Sequence, residues 1–402
     1  MDDPVIAPSD TARHFQASLP EVPPLRALAL LFLRLGLTAF GGPAAHIAMM
    51  EDEVVRRRRW LSREQFLDLL GAANLLPGPS STELAIYIGW LLGGWSGLVL
   101  AGTCFILPAA LLVAGLAWAY LNWGTLPQVA GILYGVKPAV IAIIVQALGR
   151  LGRASVKTPG LAVVGVLAMV LSFLGVNLLV VLFGSGLAVA AGQWFRRREQ
   201  KTDPGAGLSA MPLAASAVAG PAVIAPFGLW PLFLVFLKIG FVLFGSGYVL
   251  LAFLRADLVE RRGWLTETQL LDAVAVGQVT PGPVSTTATF IGYLLAGPWG
   301  AVVATIGIFL PAFLLVAVSG PLMPRLRRSP AAGAFLDGVN VASLALMAVV
   351  SWQLGRAALV DGITAALAGI SALLLLRYRV NSVWLVLGGA GVGLVVSLVR
   401  EG

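Results

Sequence analysis

The chain has 402 residues, of which 58% are hydrophobic and 11% charged, and its mean hydropathy is +0.90. Soluble domains carry about 25% charged residues, so this composition excludes a water-soluble globular protein. The net charge of +8 comes from arginines and lysines clustered in short loops between apolar segments. That clustering is a membrane-topology signal rather than a nucleic-acid site. The one cysteine, Cys104, excludes a disulfide framework.

The order of polar and apolar segments along the chain predicts two membrane domains. A polar tail, residues 1–24, has no basic region followed by an apolar stretch, so we expect no cleaved signal peptide. A linker, 196–226, separates a first domain, 25–195, from a second, 227–402. Apolar segments near the roughly 20 residues that span a bilayer recur in both. They lie at about 25–50, 66–95, 97–121, 129–149, 159–174 and 176–195, then at 229–253, 268–296, 299–321, 334–354, 358–376 and 382–399.

The two domains are copies of one sequence. When Phe40 is aligned with Phe244, matching residues recur over most of both halves, after one deletion that follows a repeated Pro-Gly-Pro motif. An alignment that continues over most of both halves indicates a tandem duplication. The matches include Gly36 with Gly240, Trp60 with Trp264, Gln65 with Gln269, Asp68 with Asp272, Pro77-Gly78-Pro79 with Pro281-Gly282-Pro283, and Gly89 with Gly292.

The second segment of each half is interrupted by the motif, in NLLPGPSST and QVTPGPVST. If all twelve segments crossed the membrane, lysines and arginines would be divided almost evenly between the two sides. If the second segments instead turn back at Pro-Gly-Pro, most of these residues fall on one side, as positive-inside topology requires. The sequence therefore predicts an all-α membrane protein of two inverted repeats, each with about five transmembrane helices and one re-entrant helical hairpin.

One cation lies inside the first segment of each half. Arg34 in LRLGLTAFGGP aligns with Lys238 in LKIGFVLFGSG. Charged residues within a membrane are costly and usually functional, so both are candidate substrate-binding residues. An intramembrane ion pair or a side chain that extends towards the membrane surface explains them equally simply.

Breaks in the helices supply further candidates for binding an anion. The glycine-rich positions Gly41, Gly42, Gly245 and Ser246, together with both Pro-Gly-Pro motifs, free backbone N–H groups. Helix N-termini bind oxyanions without a side-chain charge. Hydroxyls stand where each helix restarts and either bind the anion or cap the helix. They are Ser80, Ser81, Thr82, Ser285 and Thr286.

Three residues are candidates for coupling transport to protons or for adding charge. Glu83 follows SST, where the second half has Thr287, and it acts either as a proton carrier or as a helix-dipole partner. His46 is a titratable group or a packed residue. Lys137 aligns with Asn340 and would be a third cation.

Asp68 and Asp272 are assigned a structural role, with caps at Ser62 and Thr266. No catalytic set, metal-ligand spacing or cofactor motif is present, which argues against an enzyme.

These motifs resemble the chromate ion transporter (CHR) family of bacteria. The resemblance is carried by FGGP, by RRRRWLSREQFLDLLGAANLLPGPSSTELAIYIGW, and by FGSG with ERRGWLTETQLLDAVAVGQVTPGPVSTTATFIGY. It covers nearly the whole chain outside the tail and linker, and the two fused domains are similar to the long-chain form. The second copy departs from the pattern, with FGSG for FGGP and no glutamate after Pro-Gly-Pro. The matched positions are Arg34, Gly41, Gly42, Pro77, Gly78, Pro79, Lys238, Gly245, Pro281, Gly282 and Pro283.

The resemblance implies a multi-pass protein of the bacterial inner membrane that exports chromate and confers resistance to it. Sulfate is the natural isostere of chromate, so a sulfate or other oxyanion transporter is the alternative. A channel, or a non-transport membrane protein such as an embedded enzyme, is a more distant one. The expected partners are the oxyanion and the lipid bilayer, with no nucleic acid, and a homodimer is left open. The side of the N-terminus and the coupling ion are also left open.

Overall fold

The computed structural model describes residues 23–124, 126–199, 227–244, 249–319, 329–378 and 380–401, and every regular element in these ranges is a helix. The first half contains α1 (Leu25–Thr38), α2 (Gly42–Glu51) with a π-helical turn (Asp52–Arg57), α3 (Arg63–Ala73), α4 (Ser80–Trp123), α5 (Pro127–Ser155), α6 (Pro159–Phe173) and α7 (Leu178–Glu199). The second contains α8 (Leu229–Val242), α9 (Leu250–Leu254) with a π-helical turn (Arg255–Arg261), α10 (Glu267–Val279), a 3-10 turn (Val284–Thr286), α11 (Thr287–Ser319), α12 (Pro330–Ala358), α13 (Gly362–Arg377) and α14 (Ser382–Glu401). Residues 245 and 246, which were candidate site residues, lie outside the described ranges.

The Pro-Gly-Pro hairpin predicted for the first half is present. α3 leads to the motif, and residues 80–92 of α4 return from it. The chain then reverses at Gly94, whose φ of +58° and ψ of −144° suit only glycine, and residues 95–123 form a separate helix. The backbones of Gly89 and Gly97 touch across this reversal, although eight residues of continuous helix would separate them by about 12 Å. Gly297 makes the same reversal within α11.

The first segment of each half also folds back. The guanidinium of Arg34 in α1 lies 3.6 Å from the Oε1 of Glu53 in the π-helical turn. In one continuous helix these residues would be about 28 Å apart, so α1 and α2 form a hairpin. Gly41 and Gly42 lie at its tip, with φ of +104° and +76°. The ion pair between Lys238 and Asp257 joins α8 to the π-helical turn of the second half in the same way.

This additional hairpin changes the topology expected for the first segment, because residues 25–50 reverse instead of crossing. The glycines at the tip are the physical reason for the reversal. Leu25 at the start of α1 contacts Gly93, which lies at the base of the Pro-Gly-Pro hairpin. We call this end of the molecule the first face. The arginine run 56–59 returns towards the first face, so it lies on the same side as the start of α1.

The two halves are inverted, as predicted. Tyr120, close to the end of α4 that is remote from the first face, donates a hydrogen bond of 2.9 Å to Asp272. Asp272 lies in the middle of α10 (Glu267–Val279), the arm that runs from the hairpin base of the second half to its Pro-Gly-Pro tip. The hairpin bases of the two halves therefore lie at opposite ends of the molecule, and we call the second end the second face.

Close helix packing is repeated in both halves. A Cβ added to Gly36 of α1 would lie 2.6 Å from the carbonyl oxygen of Phe105, and one added to Gly240 of α8 would lie 2.6 Å from that of Ile308. Small residues that allow such close approach are typical of membrane helix interfaces. The capping boxes predicted at Ser62 and Thr266 are both present at the start of α3 and α10.

Six helices of the described part of the chain are long and apolar enough to cross a membrane. The all-helical membrane fold with two repeats is therefore confirmed. These helices are Ser80–Trp123, Pro127–Ser155, Leu178–Phe195, Val284–Ser319, Pro330–Ala358 and Ser382–Val399.

Candidate functional site

The Pro-Gly-Pro tips exchange hydrogen bonds between the halves. The N–H of Gly78 donates to the carbonyl oxygen of Leu243 at 2.6 Å, and the N–H of Gly282 donates to that of Ala39 at 2.9 Å. Ala39 and Leu243 are matched positions, since each ends the first arm of its half. The exchange therefore follows the pseudo-two-fold symmetry of the repeat. It joins each Pro-Gly-Pro tip to the first hairpin of the other half.

His46 extends this junction within the first half. It is 1% exposed, with Nε2 3.1 Å from the carbonyl oxygen of Ala39 and Nδ1 3.2 Å from the Oγ of Ser81. A carbonyl oxygen can only accept, so Nε2 carries the proton and, in the neutral ring, the Ser81 hydroxyl donates to Nδ1. A continuous hydrogen-bonded chain thus runs from Ser81 through His46 and Ala39 to Gly282 of the second half. The second half has Leu250 where the first has His46.

Two buried hydroxyls beside the tips have no hydrogen-bond partner within the part of the chain that the structure describes. They are the Oγ1 of Thr82 and the Oγ of Ser285, and both residues are 0% exposed. Burying a hydroxyl without a partner costs about 1–3 kcal/mol in proteins, so both groups are available to a ligand. Thr286 differs, because its hydroxyl donates to the carbonyl oxygen of Pro283 at 2.8 Å.

Helix N-termini also converge on this region. Gly41 is the N-cap of α2, Pro79 that of α4, and Pro283 that of the 3-10 turn before α11, and none provides a side-chain cap. The first N–H groups of a helix have no intrahelical partners and carry roughly half a positive charge. N-termini of this kind bind oxyanions. The Pro-Gly-Pro motifs themselves free no N–H group, contrary to expectation, because the N–H of Gly78 and of Gly282 donates to the other half. The donors left at the tips are the first N–H groups of these helices and the unpartnered hydroxyls.

Glu83 is the acidic group at the tips. It is 0% exposed, and neither carboxyl oxygen has a hydrogen-bond partner in the described residues. The carboxyl group packs directly against the backbone of Gly78, so a Cβ at that position would displace it. The matched Thr287 instead donates its hydroxyl hydrogen to the carbonyl oxygen of Val284 at 2.8 Å.

The cations Arg34 and Lys238 do not lie at the tips but form ion triads on the hairpin arms. Arg34 pairs with Glu53 at 3.6 Å, and Arg57 pairs with the same carboxylate at 3.3 Å. In the second half Lys238 pairs with Asp257, to which Arg261 lies at 3.6 Å. The second triad contains two cations and one acid. In the first, Arg58 also lies 3.3 Å from Glu53 and Arg57 also pairs with Asp52 at 2.7 Å, so each group has one cation more than it has acids. A positive charge thus remains on each side of the tips.

Sequence reasoning missed the acids and the second arginines of these triads. Glu53 aligns with Asp257 and Arg57 with Arg261, so the repeat register contained the signal. The π-helical turns that carry them are a feature often found at functional sites. The sequence predicts residues 25–50 as one crossing helix, which would hold these residues far from Arg34 and Lys238.

The triad of the second half borders a cavity of about 450 Å³. The cavity is lined by Arg255, Glu260 and Gln353 as well as the triad, and by the α6–α7 turn. Arg255 is itself paired with Glu260 and Glu267. This neighbouring group therefore contains one cation and two acids, joined by ion pairs.

Lys137 joins the halves away from the tips. Its Nζ lies 2.9 Å from the Oδ1 of Asp272, whose Oδ2 accepts the hydrogen bond from Tyr120. Side-chain exposure is 16% for Lys137 and 3% for Asp272, so the pair is largely buried. This contact places α5 of the first half against α10 of the second.

The described residues contain no group of histidine, cysteine, aspartate or glutamate side chains that could hold a metal ion. What the structure brings together is Gly41, Gly42, His46, both Pro-Gly-Pro motifs, Ser81, Thr82, Glu83, Ser285 and Thr286. It separates from them Arg34, Lys238 and Lys137.

Inverted repeats whose broken helices meet in the middle of the molecule are an architecture of membrane transporters. Sequence comparison identifies the family within this class. The model of the chromate transporter family matches residues 26–190 and again 230–394. The chain belongs to the chromate transporter family, and the two matches correspond to its two repeats.

Three relatives are similar over most of their length. The chromate transport protein of Cupriavidus metallidurans is 35% identical, covering 92% of this chain and 93% of the relative. The probable chromate transport protein of Synechococcus elongatus is 35% identical, covering 84% and 86%. The chromate transport protein of Pseudomonas aeruginosa is 33% identical, covering 94% and 95%. No solved structure matches the chain.

Proposed function

We propose that this protein is a secondary transporter that exports chromate from the cytoplasm across the bacterial inner membrane and thereby confers chromate resistance. The observation that carries the proposal is the junction of the tips, where Gly78 and Gly282 donate hydrogen bonds across the inverted halves. The family and the names of the relatives support chromate as the substrate.

In this proposal the anion binds at the junction. Thr82 and Ser285 donate their hydroxyl hydrogens to the anion, one from each half, and the uncapped N–H groups add directional donors. Hydrogen bonds to a charged group contribute about 1.5–3 kcal/mol each, so a few of them compensate for much of the lost hydration. A tetrahedral oxyanion suits such a set, because its four oxygens accept from several directions.

The ion triads attract the anion towards the junction rather than binding it there. One triad lies on the hairpin arms of each half, and these arms start from opposite faces. Each triad leaves one positive charge, so an anion meets a favourable potential from either side. Arg34 and Lys238 therefore act on the approach to the site.

Alternating access follows from the inverted symmetry. If one half rocks against the other, the junction can open to the first face or to the second while the site stays central. The two inter-half hydrogen bonds at the tips are the contacts about which such a movement would occur. Exporting a dianion from a cell that is negative inside is favoured by roughly 2.3 kcal/mol per charge per 100 mV.

The direct test is uptake of radiolabelled chromate into everted membrane vesicles, since uptake there corresponds to export. Wild type is compared with Thr82→Ala and Ser285→Ala, and with Arg153→Ala as a control, because Arg153 is exposed at the end of α5. We expect energised uptake in wild type and the control, and at least a tenfold loss in the two tip variants. Uptake equal in all four proteins would exclude the junction as the site.

Sulfate is the competing substrate, because it has the same shape and charge as chromate. Unlabelled sulfate is therefore added in excess to the same vesicles. Chromate uptake that resists this excess supports chromate as the main substrate. Absence of chromate uptake together with labelled sulfate uptake would show that the substrate is sulfate.

A further inference from the structure

Glu83 is a buried acid for which the packing of the fold provides no counter-charge. Among the described residues, no lysine or arginine lies within ion-pair distance of it, and both carboxyl oxygens lack hydrogen-bond partners. Burial of an ionised carboxylate without a partner is costly, whereas the protonated group avoids that cost. The described structure thus favours a Glu83 that holds a proton.

The groups that face this part of the junction are mostly neutral. The group that α2 contributes is His46, whose two ring nitrogens are hydrogen-bonded to Ser81 and Ala39. Tyr87 lies one turn after Glu83 in α4, and its hydroxyl lies 2.5 Å from the Oγ of Ser319 in α11. The backbone of the Pro-Gly-Pro turn packs against the carboxyl from the other direction. Arg34 and Glu53, on the arms of the α1–α2 hairpin, are paired with each other.

The second half has no corresponding acid. Thr287 occupies the matched position, and its hydroxyl is satisfied by its own helix. A helix-dipole role would require neither the burial nor the loss of all partners seen at Glu83. The asymmetry therefore assigns to the first half a function that the second half lacks.

We propose that Glu83 carries the proton that crosses the membrane with the transported oxyanion, which makes the protein an anion–proton symporter. This inference rests on the transport function proposed above. A carboxylate and an oxyanion repel each other strongly at a buried site, because no water screens their charges. The anion therefore binds only when Glu83 is protonated. The protonated carboxyl then donates a hydrogen bond to the anion, and both leave together.

The sign of the coupling has a physiological consequence. With one proton, a divalent oxyanion moves with a net charge of minus one instead of minus two. The membrane potential still favours export, but an acidic medium opposes it, because a proton must leave against its gradient. Export therefore slows as the outside becomes more acidic.

The test uses the purified full chain in liposomes, with radiolabelled chromate and a membrane potential set by potassium and valinomycin. The measured quantity is the reversal potential at which net chromate flux is zero. Coupling of one proton to one dianion shifts this potential by about 59 mV for each tenfold proton gradient. An uncoupled dianion gives no shift, whatever the rate of transport.

We expect the shift in wild type and in Thr287→Ala, the matched control in the other half. We expect no shift in Glu83→Gln or in Glu83→Thr, which copies the second half. A wild type that transports chromate without the shift would overturn the inference and leave the transport function standing. A shift that persists in Glu83→Gln would also overturn it, because the proton would then travel on another group. Absence of wild-type flux at every potential would instead refute the proposed function.

A second measurement does not depend on transport by the variants. Infrared spectra of wild type and Glu83→Gln in lipid films are compared at neutral pH. We expect the carbonyl stretch of a protonated carboxylic acid in wild type and its loss in the variant. Identical spectra in that region would show that Glu83 holds no proton, which contradicts the inference.

Discussion

The two Pro-Gly-Pro hairpins are built alike but have different surroundings. Each begins with a capping box, turns at a glycine with positive φ, and donates that glycine's N–H to the other half. Only the first hairpin has a histidine and a carboxyl group beside it, because the second has Leu250 and Thr287 at those positions. Duplication thus preserved the backbone that joins the halves, while the polar groups beside it diverged.

This comparison separates two kinds of function. The shared features form the junction that we propose as the anion site and the ion triads that we propose for its approach. The features found in one half alone are His46 and Glu83, and they include the carboxyl group that we propose as the proton carrier. Variants that change a shared feature should therefore have similar effects in the two halves. Variants of His46 or Glu83 should have effects that variants at the matched positions of the second half do not have.

The largest effects are expected at the turn glycines. Gly282→Ala places a Cβ 2.6 Å from that of Ala109, at a φ of +86°. Gly78→Ala forces the side chain of Glu83 away at a φ of +150°. A positive φ alone costs a residue with a side chain about 1–2 kcal/mol. We expect chromate flux to fall at least tenfold in both, with lower melting temperatures in detergent.

Gly115→Ala is the control for these variants, because a Cβ at that helical position meets no atom within 4 Å. It should keep wild-type flux and melting temperature or melt slightly higher, since alanine favours helix. If Gly78→Ala and Gly282→Ala also kept wild-type flux, the tips would not be where the halves must fit closely.

Intermediate effects are expected from the ion triads, and here the halves should differ. Glu53 retains Arg57 and Arg58 when Arg34 is removed, each at 3.3 Å. Among the described residues, Asp257 retains only Arg261 at 3.6 Å when Lys238 is removed. Lys238→Ala should therefore lower the free energy of unfolding by about 1–3 kcal/mol, and Arg34→Ala by less than about 1 kcal/mol.

The measurement is thermal unfolding of the purified variants, with Lys238→Arg and Arg34→Lys as the charge-preserving controls. Chromate flux should fall several-fold in both alanine variants, because each approach loses its excess positive charge. Stability losses of equal size in the two halves would contradict the difference in pairing.

Much of this architecture could be predicted from the sequence because a repeat constrains it. The aligned Pro-Gly-Pro motifs and the distribution of arginines were sufficient to predict hairpins and inversion. The hairpin of α1 and α2 was not predicted, since Gly41 and Gly42 can kink a helix as readily as reverse it. The ion pair of Arg34 with Glu53, which shows the reversal, joins residues that periodicity alone cannot bring together.

The candidate site was predictable only in part, for a related reason. Hydroxyls after a helix break can cap their own helix or face a ligand, and only packing distinguishes these outcomes. The Thr286 hydroxyl donates to the carbonyl oxygen of Pro283 in its own turn, whereas Thr82 and Ser285 are left unpartnered among the described residues. The Lys137–Asp272 pair depends on how the two halves dock, which no local pattern specifies.

The most direct test of the account is equilibrium binding of radiolabelled chromate to the purified protein, with Thr82→Ala, Ser285→Ala and the double variant. If both halves form one site, wild type binds one chromate per chain. Each single variant should then weaken that same site about tenfold or more, and the double variant should weaken it further. Two sites per chain, each sensitive to only one of the variants, would contradict a single junction shared by the halves.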